Sequence, residues 1–235
     1  MVYKLGRHAL RFLLPTSCLL CRRATRHGLC LCPDCIGDLP EPLITCDICA
    51  LPLGSPGTCG RCLARHPDYD GIQAALLYQP PVSQLVQRLK YSHRIHVAHL
   101  FASLLLPLLA SREDVPDVLV PVPLHSGRMR RRGFNQAWEI TRRLSRLCGI
   151  PADPKLLTRS RSTPAQTGLS ASQRQRNLRD AFCVNGETVK LHIAVIDDVM
   201  TTGSTLQTIA GTLKRSGATR VTGLVVARAV KQHQA

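Results

Sequence analysis

The sequence predicts an α/β fold: a parallel sheet covered by helices on both faces, with a small cysteine-rich module ahead of it. Three observations carry this reading. Nine of the eleven cysteines fall within residues 18–62. Beyond residue 67, short apolar runs alternate with amphipathic stretches. One of those runs ends in an acid pair and passes at once into a Thr/Gly/Ser loop.

Strands are expected at residues 72–78, 118–122, 191–196 and 221–226, and helices at 82–90, 97–109, 136–147 and 206–213. In the third helix, Ala137, Ile140, Thr141, Leu144 and Leu147 recur at helical spacing and form one apolar face. Gly217 suits the end of the last helix. Residues 158–176 are polar without a hydrophobic period and read as a mobile loop. Strands separated by helices of this length call for a parallel sheet buried on both sides. Residues 1–17 have a basic flank and an apolar patch cut by Arg7, His8 and Arg11, and read as an amphipathic lead-in helix. The expected organisation is therefore 1–17 lead-in, 18–66 cysteine module and 67–235 α/β domain, with His66-Pro67-Asp68 as linker.

Hydrophobic residues make up 44% of the chain and charged residues 20%, an ordinary globular balance. No apolar run approaches the ~20 residues of a membrane span, so no membrane insertion is expected. The start carries no small-residue cleavage site, which points to a reducing, cytoplasmic setting. The net charge of +16 is unevenly placed: residues 122–180 hold 13 Lys/Arg against three Asp/Glu. All but Lys155 are arginine, whose planar fork suits phosphate, so the segment has the composition of a polyanion or diphosphate site. Aromatics are only 4% of residues, which argues against a base-stacking platform; any nucleic-acid contact would be chiefly ionic.

The cysteines come as four knuckles. Cys18-x2-Cys21 is followed after ten residues by Cys32-x2-Cys35, and Cys46-x2-Cys49 after nine by Cys59-x2-Cys62. Each set supplies four thiolates for one closed tetrahedral zinc site, so two structural zinc ions are expected, paired within each set rather than interleaved. Cys30 is extra and is able to substitute for Cys32. Cys148 and Cys183 read as buried apolar fillers. His93, His96 and His99 recur every three residues without a nearby acid or cysteine and read as a surface row.

The stretch IAVIDDVMTTGSTL, residues 193–206, is the most informative. Loop amides and the following helix N-terminus make an anion cradle, with Gly203 allowing close backbone approach. The hydroxyls of Thr201, Thr202, Ser204 and Thr205 add hydrogen bonds to phosphate oxygens. Asp197 and Asp198 repel phosphate but suit ribose hydroxyls, or a magnesium shell held through water. Acids beside a phosphate cradle imply a ligand that is both sugar and phosphate.

This run resembles the signature loop of type I phosphoribosyltransferases, which bind 5-phosphoribosyl 1-diphosphate with magnesium. With VPVPLHSGRMRRRGFNQA (120–137), TRSRSTPAQTGLSASQRQRNLRDAF (158–182) and the cysteine module, the chain resembles the ComF family from Cys18 to about Arg228. The resemblance implies a type I phosphoribosyltransferase-like parallel-sheet domain behind a double zinc ribbon. It implies that Asp197 and Asp198 serve the chemistry, that Lys90, Arg128 and Arg132 approach the ligand, and that Arg159, Arg161 and Arg174 close a flap over it. It also implies single-stranded DNA and DNA-uptake proteins as partners. Two readings stay open: a phosphoribosyl-diphosphate-binding protein of DNA uptake or utilisation that holds single-stranded DNA on a basic surface, or an active transferase moving ribose 5-phosphate to a nucleobase-like acceptor. No Ser-His-Asp set or nucleophile elbow is present for acyl chemistry.

Overall fold

A computed structural model describes residues 16–25, 28–91, 95–110, 115–159 and 181–230. Residues 1–15 of the expected lead-in helix, most of the 158–176 loop, His93, Arg161 and Arg174 fall outside the described residues, and the last two residues of the expected lead-in, Thr16–Ser17, form a strand.

In chain order the first ribbon holds β1 (Thr16–Ser17) and β2 (Ala24–Thr25), paired antiparallel, and α1 (Pro33–Gly37). The second holds α2 (Gly60–Ala64). There follow β3 (Gly71–Leu77), α3 (Val82–Tyr91), α4 (Val97–Ala110), β4 (Val118–Pro121), α5 (Ser126–Arg132) and α6 (Gln136–Cys148). The hairpin strands β5 (Leu157–Arg159) and β6 (Phe182–Val184) precede β7 (His192–Met200), α7 (Ser204–Arg215) and β8 (Arg220–Arg228). The main sheet has the order β3-β8-β7-β4 and every pairing in it is parallel.

The pleat explains how unbroken apolar strands serve two cores. Successive side chains of β7 point to opposite faces. Ala194 and Ile196 join the cluster formed with Leu85, Leu89, Phe101 and Ile140 from α3, α4 and α6. Ile193 and Val195 join the cluster formed with Leu206, Ile209 and Leu213 of α7. The ribbons divide in the same way. Cys18, Leu31 and Leu39 of the first pack into the α3/α4/α6 cluster. Cys46, Cys49, Cys59 and Cys62 of the second pack with Tyr69 and Ile72 into the α7 cluster. The two knuckle sets thus buttress opposite faces of one sheet.

Several elements depart from the sequence reading. β7 runs through the acid pair to Met200, with Asp197 opposite Val225 and Val199 opposite Ala227, so the acids lie inside the strand and not after it. The turn after β4 folds into the short helix α5, with His125 Nδ1 accepting from the Gly127 amide at 3.1 Å. Residues 157–159 form a strand where the loop was expected to begin. Leu147 is 42% exposed, whereas Ala137, Ile140, Thr141 and Leu144 are buried. Gly149 closes α6 in the left-handed conformation, φ 78°, and turns the chain so that Ile150 enters the core instead. Cys183 is exposed on the outward side of β6, whereas Cys148 is half-buried at the end of α6 and packs against the core there.

The difference along α6 has a measurable consequence. Leu144→Ala should cost about 2–5 kcal/mol by urea denaturation, as a cavity in a closed core does. Leu147→Ala should stay within about 0.5 kcal/mol.

Candidate functional site

Lys90, Asp197, Asp198 and the loop from Thr201 to Thr205 lie at the carboxyl end of the parallel sheet, where open α/β sheets place their ligands. Gly203 ends the loop between β7 and α7 at φ 82° and is the N-cap of α7. The left-handed backbone disfavours a side chain there, and a Cβ 2.5 Å from Met200 Cε would also push the tip of that side chain aside. Thr202 Oγ1 and Ser204 Oγ are 3.0 Å apart, and the Ser204 amide donates to Thr202 Oγ1 at 3.4 Å. Thr201, Thr202 and Ser204 are exposed, Thr205 is half-buried, and Gly203 is buried. The result is a rim of hydroxyls around the amides that open a twelve-residue helix.

The acids differ in their surroundings. Asp198 shares the even-numbered side of β7 with Ala194 and Ile196, the side covered by α3, and Lys90 Nζ meets its Oδ2 at 2.6 Å. Asp198 is 3% exposed, so this is a buried ion pair. Asp197 accepts the Asp198 amide on Oδ1 at 2.8 Å. Burial first, then the adjacent Asp198 carboxylate, holds the Asp197 carboxyl well above the ordinary carboxylate range.

The arginines sort themselves. Arg128, Arg130 and Arg131 are exposed on α5. Arg132 turns back, donating to Gln136 Oε1 at 2.6 Å and lying 5.3 Å over the Tyr91 ring. Arg159 lies 5.5 Å over the Phe182 ring, and its guanidinium is held below its usual range by burial and then by the charge of Arg128. The structure therefore brings Arg128 and Arg159 into one electrostatic neighbourhood. Arg142 and Arg143 instead both bond the Glu139 carboxylate, at 2.5 and 2.6 Å. The Asn135 side chain caps α6 and donates to the Val122 carbonyl at 3.0 Å, fixing the segment between β4 and α6.

Two arginines missed in the sequence hold the loop between β7 and α7. Arg228, 1% exposed at the end of β8, donates from Nε to the Cys49 carbonyl at 3.1 Å. Its Nη1 donates to the Met200 carbonyl at 3.1 Å, the Ala229 carbonyl at 2.8 Å and the Thr201 carbonyl. Arg61, on α2 of the second ribbon, donates to the Thr202 carbonyl at 3.0 Å. A cleft of about 180 Å³ lies between α2 and the loop, lined by Arg61, Arg65, His66, Thr202, Ser204 and Gln207 among others.

The cysteines form two sets, Cys18/Cys21/Cys32/Cys35 and Cys46/Cys49/Cys59/Cys62, with all four sulfurs of each within 4.8 Å of one another. Zinc–sulfur bonds of about 2.3 Å place tetrahedral sulfurs about 3.8 Å apart. Cys21 and Cys32 are 3.6 Å apart and Cys49 and Cys59 3.7 Å, so both sets fit a structural zinc ion. Burial alone would raise the Cys18 thiol, but amides of Cys21, Cys32 and Leu20 outweigh it and bring it down to about 6. The same contest at Cys46, with the Cys59 amide donating to its sulfur at 3.3 Å, ends at about 7. Cys30 stays outside both sets, and burial pushes its thiol up to about 11. Pairing is within sets, and the substitution of Cys30 for Cys32 does not occur.

A double zinc ribbon domain model matches residues 9–63. The DNA utilization protein YhgH of Salmonella typhi is 40% identical over 210 residues, covering 87% of this chain and 86% of that protein. Its Escherichia coli K12 counterpart is 38% identical over the same shares, and Competence protein F of Haemophilus influenzae is 34% identical over 90% of this chain and 96% of its own. The chain belongs to the ComF family. The parallel sheet and the two four-cysteine sets are the architecture which that resemblance implied. Among solved structures, glutamine phosphoribosylpyrophosphate amidotransferase from B. subtilis is 19% identical, covers 56% of this chain and 27% of its own, and gives a TM-score of 0.40. No helix among the described residues of this ComF protein is long and apolar enough to cross a membrane.

Two outcomes check this geometry. Lys90→Met strands a buried carboxylate and should cost about 3 kcal/mol of stability, the low end for a broken buried pair because Lys90 keeps some contact with water. Adding Asp198→Asn should restore most of that loss in the same denaturation assay. Purified protein should carry two zinc ions per chain by elemental analysis; Cys30→Ser should keep both and Cys32→Ser should lose one.

Proposed function

We propose that this ComF-family protein binds 5-phosphoribosyl 1-diphosphate with magnesium at the carboxyl end of β7, and that the adjoining arginine surface holds single-stranded DNA during DNA utilisation. The observation that carries the reading is the segment from Asp197 to Thr205, in which a left-handed Gly203 opens α7 shortly after an acid pair whose second member, Asp198, is buried and paired with Lys90. In this reading the 5-phosphate rests on the loop amides and the hydroxyls of Thr201, Thr202, Ser204 and Thr205. Ribose hydroxyls donate to Asp197 and Asp198, and Lys90 holds the Asp198 carboxylate in place. Asp197 enters its sugar-facing role by giving up the proton that burial favours. Arg128 and Arg159 lie on the side where diphosphate charge must be met, and Arg161 and Arg174 act as the flap. Bound magnesium neutralises part of the diphosphate charge. Arg132, engaged with Gln136 and Tyr91, has a supporting part in shaping α5.

The DNA half of the proposal draws on the relatives called DNA utilization protein and Competence protein F, and on the exposed arginines of α5. Calorimetric titration tests the first half. The wild type should bind phosphoribosyl diphosphate when magnesium is present, and Asp197→Asn with Asp198→Asn should weaken binding about tenfold or more, the worth of charge-assisted hydrogen bonds. Equal affinity in the variant rejects the site. For DNA, affinity should fall with salt by about 0.7 log units per log unit for each phosphate contacted. Replacing Arg128, Arg130 and Arg131 with Gln should flatten that slope, and an unchanged slope removes α5 from the DNA surface.

A further inference from the structure

Arg228 is the most unusual charge in the molecule. A fully buried guanidinium is costly unless every donor is occupied and its charge is balanced. Its recorded hydrogen-bond acceptors are backbone carbonyls, and they belong to three places: Cys49 in the second ribbon, Met200 and Thr201 at the start of the phosphate loop, and Ala229 beyond β8. The balance has a ready source. Four thiolates outweigh one divalent ion, so a loaded four-cysteine site is anionic, and Cys49 is one of its ligands. A second strut runs in parallel, from Arg61 between Cys59 and Cys62 to the Thr202 carbonyl, 141 residues away in sequence. Both struts end on carbonyls of the residues that shape the anion cradle. The first ribbon sends its tie elsewhere: Arg88 of α3 donates to the Leu19 carbonyl at 2.8 Å.

We propose that Arg228, assisted by Arg61, couples the metal state of the second ribbon to the conformation of the phosphate loop, so that zinc at Cys46/Cys49/Cys59/Cys62 and a phosphate-bearing ligand at residues 201–205 bind cooperatively. Metal loss removes the anionic partner of Arg228 and frees the Cys49 carbonyl; the guanidinium then loses its anchor and the loop carbonyls lose their donor. Coupling of this kind is reciprocal, so ligand at the loop retards zinc release as zinc favours ligand. Arg228 is here a positioning residue, acting through the loop backbone without touching the ligand. The ligand arm rests on the function proposed above; the metal arm does not.

The test uses the full chain. Hydrogen exchange at the amides of residues 201–205 and zinc release to a chromogenic chelator are measured in wild type, Arg228→Met and Arg61→Gln. Arg61 is exposed, so its variant keeps the fold and decides the matter where Arg228→Met does not fold. Loop exchange and release of one of the two zinc ions should both rise, about tenfold or more for Arg228→Met, from the loss of charged hydrogen bonds, and less for Arg61→Gln. Wild-type protein with phosphoribosyl diphosphate and magnesium should release that zinc more slowly. Faster exchange and release in the variants, with no ligand bound by wild type, supports the coupling and rejects the ligand assignment. Folded variants with wild-type exchange and release overturn the coupling whatever the ligand does.

Discussion

A carboxylate inside a parallel strand has to be balanced where it stands, and the carboxyl end of this sheet is built around that constraint. Asp198 lies in β7 alongside β8, two residues past the last pairing with β4, and is 3% exposed. The balancing charge comes from α3, whose buried residues Val82, Leu85, Val86 and Leu89 fix the rotation of the helix against the sheet. That rotation delivers Lys90, one residue further, to Asp198. The first ribbon steadies the same helix through Arg88. An acid in the sheet, an amphipathic helix and a metal module are thus successive supports of one ion pair.

The sequence made the skeleton of this arrangement legible, because its signals are local. A run of apolar residues without alternation reads as a strand covered on both faces, and β7 and β8 are such strands. Two-residue cysteine spacing reads as a knuckle because both sulfurs must reach one ion. A glycine between a hydroxyl-rich loop and a helix reads as an anion cradle. Less legible was whatever depends on a distant partner. Arg228 closes a run of buried residues and looks like the polar end of a strand; only the fold shows carbonyls from positions 49, 200 and 201 converging on it. Arg61 looks like a solvated residue between two ligands. Leu147 fits the helical period, but a left-handed glycine two residues on sends Ile150 into the core in its place.

The split of the ribbons between the two faces was equally invisible, since identical spacing gives identical local folds. It changes what the cysteine module is. Cys18 and Cys32 share a core with Phe101 and Ile140, while Cys49 and Cys62 share one with Ile209 and Leu213. Metal sites placed this way belong to the packing of the sheet as much as to their own loops, and two sites of the same chemistry acquire different neighbours: a helix carrying Lys90 for one, the phosphate loop for the other.

The basic segment needs the same discrimination. Its formal excess suggests a uniform field, but the arginines divide by partner. Arg142 and Arg143 are spent on Glu139, whose carboxyl they hold low against the opposing effect of burial. Arg132 is spent on Gln136 and Tyr91. Among the described residues, Arg128, Arg130 and Arg131 of α5 and Arg146 of α6 are exposed, and one of them, Arg128, also acts on the guanidinium of Arg159. Two like charges near one another raise each other's energy until an anion sits between them. On the proposed reading that anion is the diphosphate when the small ligand is bound and a backbone phosphate when DNA is. One residue then serves two ligands, and occupancy of the cradle sets how much of the α5 surface is left to a single strand. On that reading, the charge that looked like a broad adhesive face becomes a shared boundary between a small-molecule site and a polymer site.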